Sequence, residues 1–164
     1  MSNISRDEIH GVLIQSGDER ILLPNSTIAE VTSRADIDKT HHNAPPWMLG
    51  YVDWYGWKVP LVSFLRFSSL GQEATGEGSE KIVILKAIGG RPTLRYFALI
   101  TESFPQLVSI SRDALLADAS EDVLPRGVQI RVLLGDQHVL VPDLDTIEGA
   151  LLSTVSQQSV HFKH

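Results

Sequence analysis

The sequence predicts an all-β fold, either a barrel or a sandwich. Short apolar runs recur at close spacing, Gly and Pro separate them, and few helical patterns lie between them. No long helical period follows a strand, so the βαβ units of a parallel sheet are disfavoured. The 164 residues are enough for one domain or for two small subdomains.

The first predicted elements are a hairpin and a short capped piece. Residues 11–15 and 20–23 are strand-like runs on either side of a Gly17-Asp18 turn. Asn25 can cap a short helical or irregular piece that ends near Val31. A polar stretch over residues 32–43 then leads into a proline pair.

The strongest signal is an aromatic hairpin. Residues 52–54 and 57–62 are rich in β-formers, and Tyr55-Gly56 lies between them. A two-residue loop would place Trp54 opposite Trp57, and Asp53 opposite Lys58. Tyr55 is a poor fit to the positive φ of a type I′ turn, so the register stays open at this point.

The middle of the chain predicts a linker and a further hairpin. Residues 71–80 contain no large apolar side chain, which is typical of a flexible linker or a long loop. Residues 81–88 and 94–101 are strand-like on either side of a Gly-Gly-Arg-Pro turn. Residues 107–110 form a further short strand.

The last third of the chain predicts short helices around a last hairpin. Ser111 can cap a short helix through Leu116, and residues 128–134 and 138–141 form a hairpin around Gly135-Asp136. Asp143 can cap a final helix through Leu152, with residues 153–164 as a loose tail.

Composition excludes several classes of function. The net charge is −6, and basic residues such as Lys81, Lys86, Arg91 and Arg95 are scattered singles, which disfavours nucleic-acid binding and docking on anionic lipid. The chain has no Cys, which excludes thiolate zinc sites and a thiol nucleophile. No apolar run suits a signal peptide or a membrane span, so we expect a cytoplasmic protein without membrane insertion.

The sequence carries no converging catalytic set. The adjacent pair His41-His42 points apart on an extended chain and does not chelate one metal well. No nucleophile elbow, phosphate loop or EF-hand pattern is present. We therefore expect no enzyme activity, no metal and no cofactor.

The aromatic side chains divide into two groups. Trp47 and Trp54 are expected in the core, because large rings bury much area. Tyr55 and Trp57 flank a tight turn, where the chain normally lies at the surface, so they are candidate partner anchors. Asp53 and Lys58 would supply a polar rim.

The stretch APPWMLGYVDWYGWKVPLV, residues 44–62, resembles the CheW-like family of chemosensory adaptors. That family has a proline, an apolar pair, Gly-Val-Ile-Asn-Leu-Arg-Gly and then Ile-Val-Pro-Val-Ile-Asp-Leu, at the same spacing. Residues 28–31, Ile-Ala-Glu-Val, look like its segment ending in Glu-Ile or Glu-Val. Residues 81–85, 96–101 and 108–110 look like its later strands, so the resemblance covers roughly residues 11–152.

The resemblance implies two small five-stranded, SH3-like β-barrel subdomains with a few short helices. A single domain over residues 10–152 would comprise subdomains at about 10–66 and 81–134, with residues 135–152 packing back on them. The family's adaptors carry no catalysis and bridge a chemoreceptor cytoplasmic tip and a histidine kinase regulatory domain of the same fold.

The resemblance also implies contact residues. In the family, the region around Ile28 and Glu30, which here includes Val31, faces receptors, and an Arg-Gly hairpin tip supports receptor or kinase contact. Tyr55 stands where the family has that Arg. Four other departures are Asp53 for Asn, Ser63 for Asp, Ala98 for Gly and Thr101 for Asp. The chain therefore looks like a divergent member, similar to those that accompany type IV pili.

Two alternatives remain open at the level of sequence. One is a small-molecule-binding β-barrel with Trp47, Trp54 and Trp57 as a stacking wall. The other is an enzyme that uses the His41-His42 loop.

Overall fold

Two six-stranded β-sheets make up most of the structure, a computed structural model. It describes residues 8–33, 37–39, 44–71, 73, 81–102, 104–111, 115–117 and 123–161. The prediction of an all-β fold is confirmed. Among the described residues, no helix combines the length and the hydropathy needed to cross a membrane.

The first sheet contains β1 (Glu8–Ser16), β2 (Glu19–Pro24), β9 (Gln106–Ser111), β10 (Leu115–Ala117), β11 (Val128–Leu134) and β12 (Gln137–Pro142). The second sheet contains β3 (Ile28–Ser33), β4 (Ile37–Lys39), β5 (Met48–Trp54), β6 (Trp57–Val62), β7 (Lys81–Lys86) and β8 (Tyr96–Thr101). The helical elements are a 3-10 turn (Asn25–Thr27), α1 (Phe64–Phe67) and α2 (Leu144–His161).

Both sheets are built on the same plan. Their strand orders are β10-β11-β12-β2-β1-β9 and β3-β7-β8-β6-β5-β4. In each sheet two antiparallel hairpins join through one parallel contact between their second strands, and one further antiparallel strand covers each end. The parallel contacts pair Leu140 with Ile21 in the first sheet and Leu61 with Ala98 in the second.

Apolar strands divide their side chains between separate core clusters. Along β7, Ile82 and Ile84 face a cluster that belongs to the second sheet, whereas Val83 and Leu85 face a central cluster. In the same way β1 sends Leu13 into a cluster of the first sheet. Because successive strand residues point to opposite faces, a continuous apolar run lets both faces be buried.

Each predicted subdomain range contributes strands to both sheets. Each sheet has six strands rather than five, and among the described residues neither sheet closes by pairing its own edge strands. Residues 10–66 contribute β1 and β2 to the first sheet and β3 to β6 to the second. The long-range parallel pairings that complete each sheet leave no local signal in the sequence, so the sequence does not predict which strands share a sheet.

Three predicted local elements differ in the structure. The piece expected to end near Val31 is a 3-10 turn that gives way to β3 at Ile28, and the polar stretch contains β4. The helix predicted from Ser111 through Leu116 is wrong for residues 115 and 116, which belong to β10. There, β10 pairs with β11 along the free edge of the sheet, and this pairing outweighs local propensity.

The C-terminal helix begins as predicted and ends later than predicted. The Asp143 carboxylate accepts hydrogen bonds from the Thr146 N–H at 3.3 Å and the Thr146 hydroxyl at 2.8 Å. The helix then continues through Leu152 to His161. Leu144, Ile147 and Leu151 pack into the central cluster, which secures the first two turns against both sheets.

Glu148 ties α2 to the second sheet. Its side chain is 1% exposed, and its two carboxylate oxygens accept from the N–H groups of Ile88 at 2.7 Å and Gly89 at 3.0 Å. A buried carboxylate is tolerated because both oxygens have donors. The bond fixes the start of the β7–β8 connection.

A buried acid lies within the segment predicted as a linker. Glu73 is 5% exposed, accepts from the Ser63 hydroxyl and receives the Leu65 N–H at 3.3 Å. Ser63 in turn caps α1 by accepting from the Arg66 N–H at 3.2 Å. Burial raises the pKa of the Glu73 carboxyl above its usual value of 4.5, against the opposing effect of the Ser63 hydrogen bond. The other residues of 72–80 lie outside the described part of the chain.

The raised pKa of Glu73 predicts that the contribution of this carboxyl to the stability of the fold falls as pH increases. The folded state holds this proton more tightly than the unfolded state. The free energy of unfolding should therefore be greatest below about pH 4.5 for this group and should fall as pH rises through the raised pKa. Urea denaturation across this range should show a smaller decline in Glu73→Gln; an identical decline in both proteins would contradict the assignment.

Truncation of Glu148 should destabilise the fold. Glu148→Ala leaves two backbone N–H groups without their acceptor, and we expect a loss of about 2–3 kcal/mol in the free energy of unfolding. Asp145→Ala, an exposed acid in the first turn of the same helix, is the matched control and should cost less than about 1 kcal/mol. Equal losses in the two variants would show that the Glu148 bonds contribute little.

Candidate partner-binding surface

The β5–β6 turn has the type I′ geometry that Tyr55 made doubtful. Tyr55 and Gly56 have φ values of 49° and 83°, and the pairs Asp53–Lys58 and Trp54–Trp57 lie opposite each other. The register expected from a two-residue loop is thus confirmed. A non-glycine residue other than Asn or Asp is uncommon in this conformation and costs conformational energy.

An aromatic cluster stands at this end of the second sheet. The ring of Trp54 meets Tyr55 at 5.1 Å and Tyr96 at 4.9 Å, both edge to face. Trp57 meets Tyr96 at 5.3 Å, and the Arg95 guanidinium lies 5.8 Å from the Trp57 ring centroid. Aromatic pairs at these distances and angles are attractive, so the rings support one another.

Exposure differs sharply within the cluster. Tyr55 is 81% exposed and Trp57 41%, whereas Trp54 is half-buried and packs against the second sheet's own core. Tyr55 therefore projects from a supported base. A rigid aromatic side chain that is already held in place loses little entropy when a partner covers it.

A hydrogen bond connects this hairpin to β3. The Trp54 indole N–H donates to Glu30 Oε1 at 2.9 Å. The structure thus brings Glu30 beside the aromatic cluster, although 24 positions separate the two residues. Ile28 and Val31 lie on β3 as well, but they are half-buried against the central cluster.

Asp53 and Lys58 are exposed, and Lys58 forms an ion pair with Asp38 on the neighbouring strand β4. Lys58 Nζ lies 2.9 Å from Asp38 Oδ2 on β4, and this hydrogen bond raises the pKa of Lys58. A Cβ at Gly50 would lie 2.3 Å from the Asp38 carbonyl oxygen, so glycine is what allows β4 to approach β5. Such an exposed ion pair orients side chains more than it stabilises.

The small-molecule alternative lacks its predicted wall. Trp47 belongs to the central cluster and packs on Phe67 at 5.0 Å, away from the Trp54 and Trp57 pair. The cavity beside Trp57, between Tyr51 and Tyr96, has a volume of about 70 Å³. This is well below the roughly 300 Å³ or more that is typical of ligand pockets.

The enzyme alternative receives no support from the described residues. His41 and His42 lie outside them. Within the part of the chain that is described, no group of three or more His, Asp or Glu side chains is placed to hold a metal ion.

One set of residues on this side of the molecule was missed by sequence reasoning. Lys86, Arg91 and Arg95, which are scattered in the sequence, line one groove of about 490 Å³ together with Tyr96. The β7–β8 pairing sets Lys86 opposite Tyr96, so the connection folds back and gathers the three cations. Their positions on both sides of the Gly-Gly turn were the signal available in the sequence.

Comparisons with known proteins place this geometry in context. The CheW-like domain family matches residues 10–150. None of the curated proteins matches the sequence. A crystal structure of the scaffolding protein TtCheW from Thermoanaerobacter tengcongensis is similar in fold, with a TM-score of 0.68 and 15% identity over 83% of this chain and 84% of that one. The predicted CheW-like fold is thus confirmed, and the chain belongs to the CheW-like domain family.

Proposed function

We propose that the chain is a non-enzymatic, cytoplasmic adaptor in bacterial chemosensory signalling. It would couple a chemoreceptor cytoplasmic tip to a histidine kinase regulatory domain, or to a related partner, through the end of the second sheet. Membership of the CheW-like domain family supports the scaffolding role. The observation that carries the choice of surface is Tyr55, an exposed ring that packs edge to face on Trp54, whose indole is hydrogen-bonded to Glu30.

The composition of this surface suits protein contact. Aromatic anchors with a polar rim are typical of the residues that contribute most to an interface. Here Tyr55 and Trp57 are the anchors, and Asp53, Lys58 and Glu30 supply polar groups around them. A transient signalling contact needs only a modest area, which a hairpin end and its neighbouring strand can provide.

The roles of the β3 residues divide under this proposal. Glu30 holds the Trp54 indole and lies beside the anchors, so it would orient the surface and contact a partner at its edge. Ile28 and Val31 pack mainly inward, and a partner would cover only their outer atoms. They would shape the surface more than anchor it.

Tyr55, which stands where the family has Arg, also indicates a partner different from the usual one of the family. An Arg at this position would offer a planar guanidinium with several donors, whereas Tyr offers one hydroxyl and a large apolar ring. The partner surface should accordingly be more apolar than that of the usual family complexes. We propose that this partner belongs to a separate chemosensory system, such as one that controls pilus-based motility.

Removal of the Tyr55 ring should weaken partner binding and leave the fold intact. Tyr55→Asn places a residue that tolerates positive φ in the turn, so the thermal midpoint should stay the same or rise slightly. Loss of an interface anchor typically costs about 2 kcal/mol or more, which corresponds to at least about a 25-fold weaker Kd. Isothermal titration of the purified kinase regulatory domain and of a receptor fragment from the same organism measures this.

A matched control separates an anchor from a general loss of apolar surface. Val123 is 80% exposed and lies away from the hairpin in the sequence, so Val123→Asn should leave both affinities unchanged. Unchanged affinity of both partners for Tyr55→Asn would remove the hairpin tip from the interface. An adaptor role through another surface would then have to be sought.

The bond between Trp54 and Glu30 should couple β3 to the hairpin. Trp54→Phe removes the indole donor, and we expect the free energy of unfolding to fall by about 1–2 kcal/mol. A cycle with Glu30→Ala should give a coupling energy between the two sites, while Glu30→Gln, which keeps an acceptor, should recover part of it. Additive effects in the cycle would show that the two strands are independent.

A further inference from the structure

We infer that the groove over the β7–β8 connection binds an acidic, amphipathic segment of a partner protein. Three exposed cations line it, Lys86, Arg91 and Arg95. The inference extends the proposed adaptor role, because it names the chemistry of a second contact beside the aromatic cluster.

The groove combines positive charge with an apolar lining. Besides the cations it is lined by Ala87, Pro92, Leu94 and Tyr96. Leu94 is 4% exposed, so the lining is continuous with the core below it. A segment with carboxylates beside apolar side chains would match both features, since complementary charge sets specificity and apolar contact supplies area.

The three cations form no ion pair with an acidic side chain in the part of the chain that is described. Glu148 lies against the same connection, and its Oε1 and Arg91 Nη1 lie 3.0 Å and 2.9 Å from the Cβ position of Gly89, so its charge offsets part of that of Arg91. Three cations against one carboxylate leave an excess of positive charge in the groove for an external carboxylate.

The groove is also held in shape before any partner arrives. The Ala87 N–H donates to the Arg95 carbonyl at 2.8 Å, and the Leu94 N–H donates to the Arg91 carbonyl at 3.2 Å. A Cβ at Gly89 would lie 2.9 Å from Arg91 Nη1, so glycine leaves the space that the guanidinium uses. A preformed site loses less entropy on binding than a mobile loop does.

Two other anionic partners fit less well. The chain carries a net charge of −6, which would repel nucleic acid or an anionic bilayer over the rest of its surface. A peptide segment needs to meet only the groove. Arg95 also lies over Trp57, which makes the groove continuous with the proposed partner-binding surface.

Fluorescence anisotropy with a labelled synthetic peptide of Glu and Leu tests the inference. The full-length chain should bind it, and the Kd should rise at least about tenfold in the double variant Lys86→Glu, Arg91→Glu. The neutral double variant Lys86→Gln, Arg91→Gln should give a smaller increase in Kd. It replaces the charge-reversed variant in the test if that variant does not fold. Raising salt from about 0.1 M to about 1 M shortens the screening length from about 10 Å to about 3 Å and should weaken binding.

Matched controls decide the outcome. Arg20→Glu on β2 changes the net charge of the protein by the same amount per site and should leave the Kd unchanged. The same peptide with Gln in place of Glu should not bind. Absence of binding, equal binding of all variants, or binding of phosphatidylserine vesicles in place of the peptide would overturn the inference. Because no kinase or receptor is used, these results leave the Tyr55 test of the adaptor role independent.

Discussion

Burial of both faces of the central strands is the constraint on which the rest of the structure depends. Strands such as β7 and β8 are apolar at almost every position, so each face needs a cover of its own. Side chains from one face of each sheet pack with α1 and α2 in the central cluster. Side chains from the other face of each sheet pack in a smaller cluster that belongs to that sheet alone. Every surface feature described above stands on this arrangement.

The parallel contacts make that arrangement possible. Hairpins alone would give four separate two-stranded units, which are marginal in water. The pairing of β12 with β2 and of β6 with β8 joins them into two sheets and commits distant parts of the chain to each other. Glu148 adds a polar long-range contact, because its carboxylate on α2 accepts hydrogen bonds from two N–H groups of the β7–β8 connection.

The surfaces proposed for partners lie where this core ends. Trp54 is the last aromatic ring packed on the second sheet's own cluster, and the next ring outward, Tyr55, is left in solvent. The strained φ of Tyr55 is consistent with a residue kept for contact, since Asn or Gly would make the turn more favourable. Arg95 and Tyr96 extend the same region to the basic groove.

The sequence by itself determined the local elements. Alternating and continuous apolar runs, together with Gly-containing turns, were enough for the all-β class, the four hairpins and the start of α2, because these features depend on neighbouring residues. The motif at residues 44–62 was enough to identify the family to which the chain belongs.

Only the tertiary structure decided which hairpins share a sheet, because parallel pairing between distant strands leaves no pattern in either strand. For the same reason it alone placed Glu30 on Trp54, buried Glu73 within a polar segment, and gathered Lys86, Arg91 and Arg95 into one groove. Each of these contacts joins residues that are distant in the sequence, and the residues next to them give no sign of the partner. The contacts therefore exist only once the tertiary structure has formed.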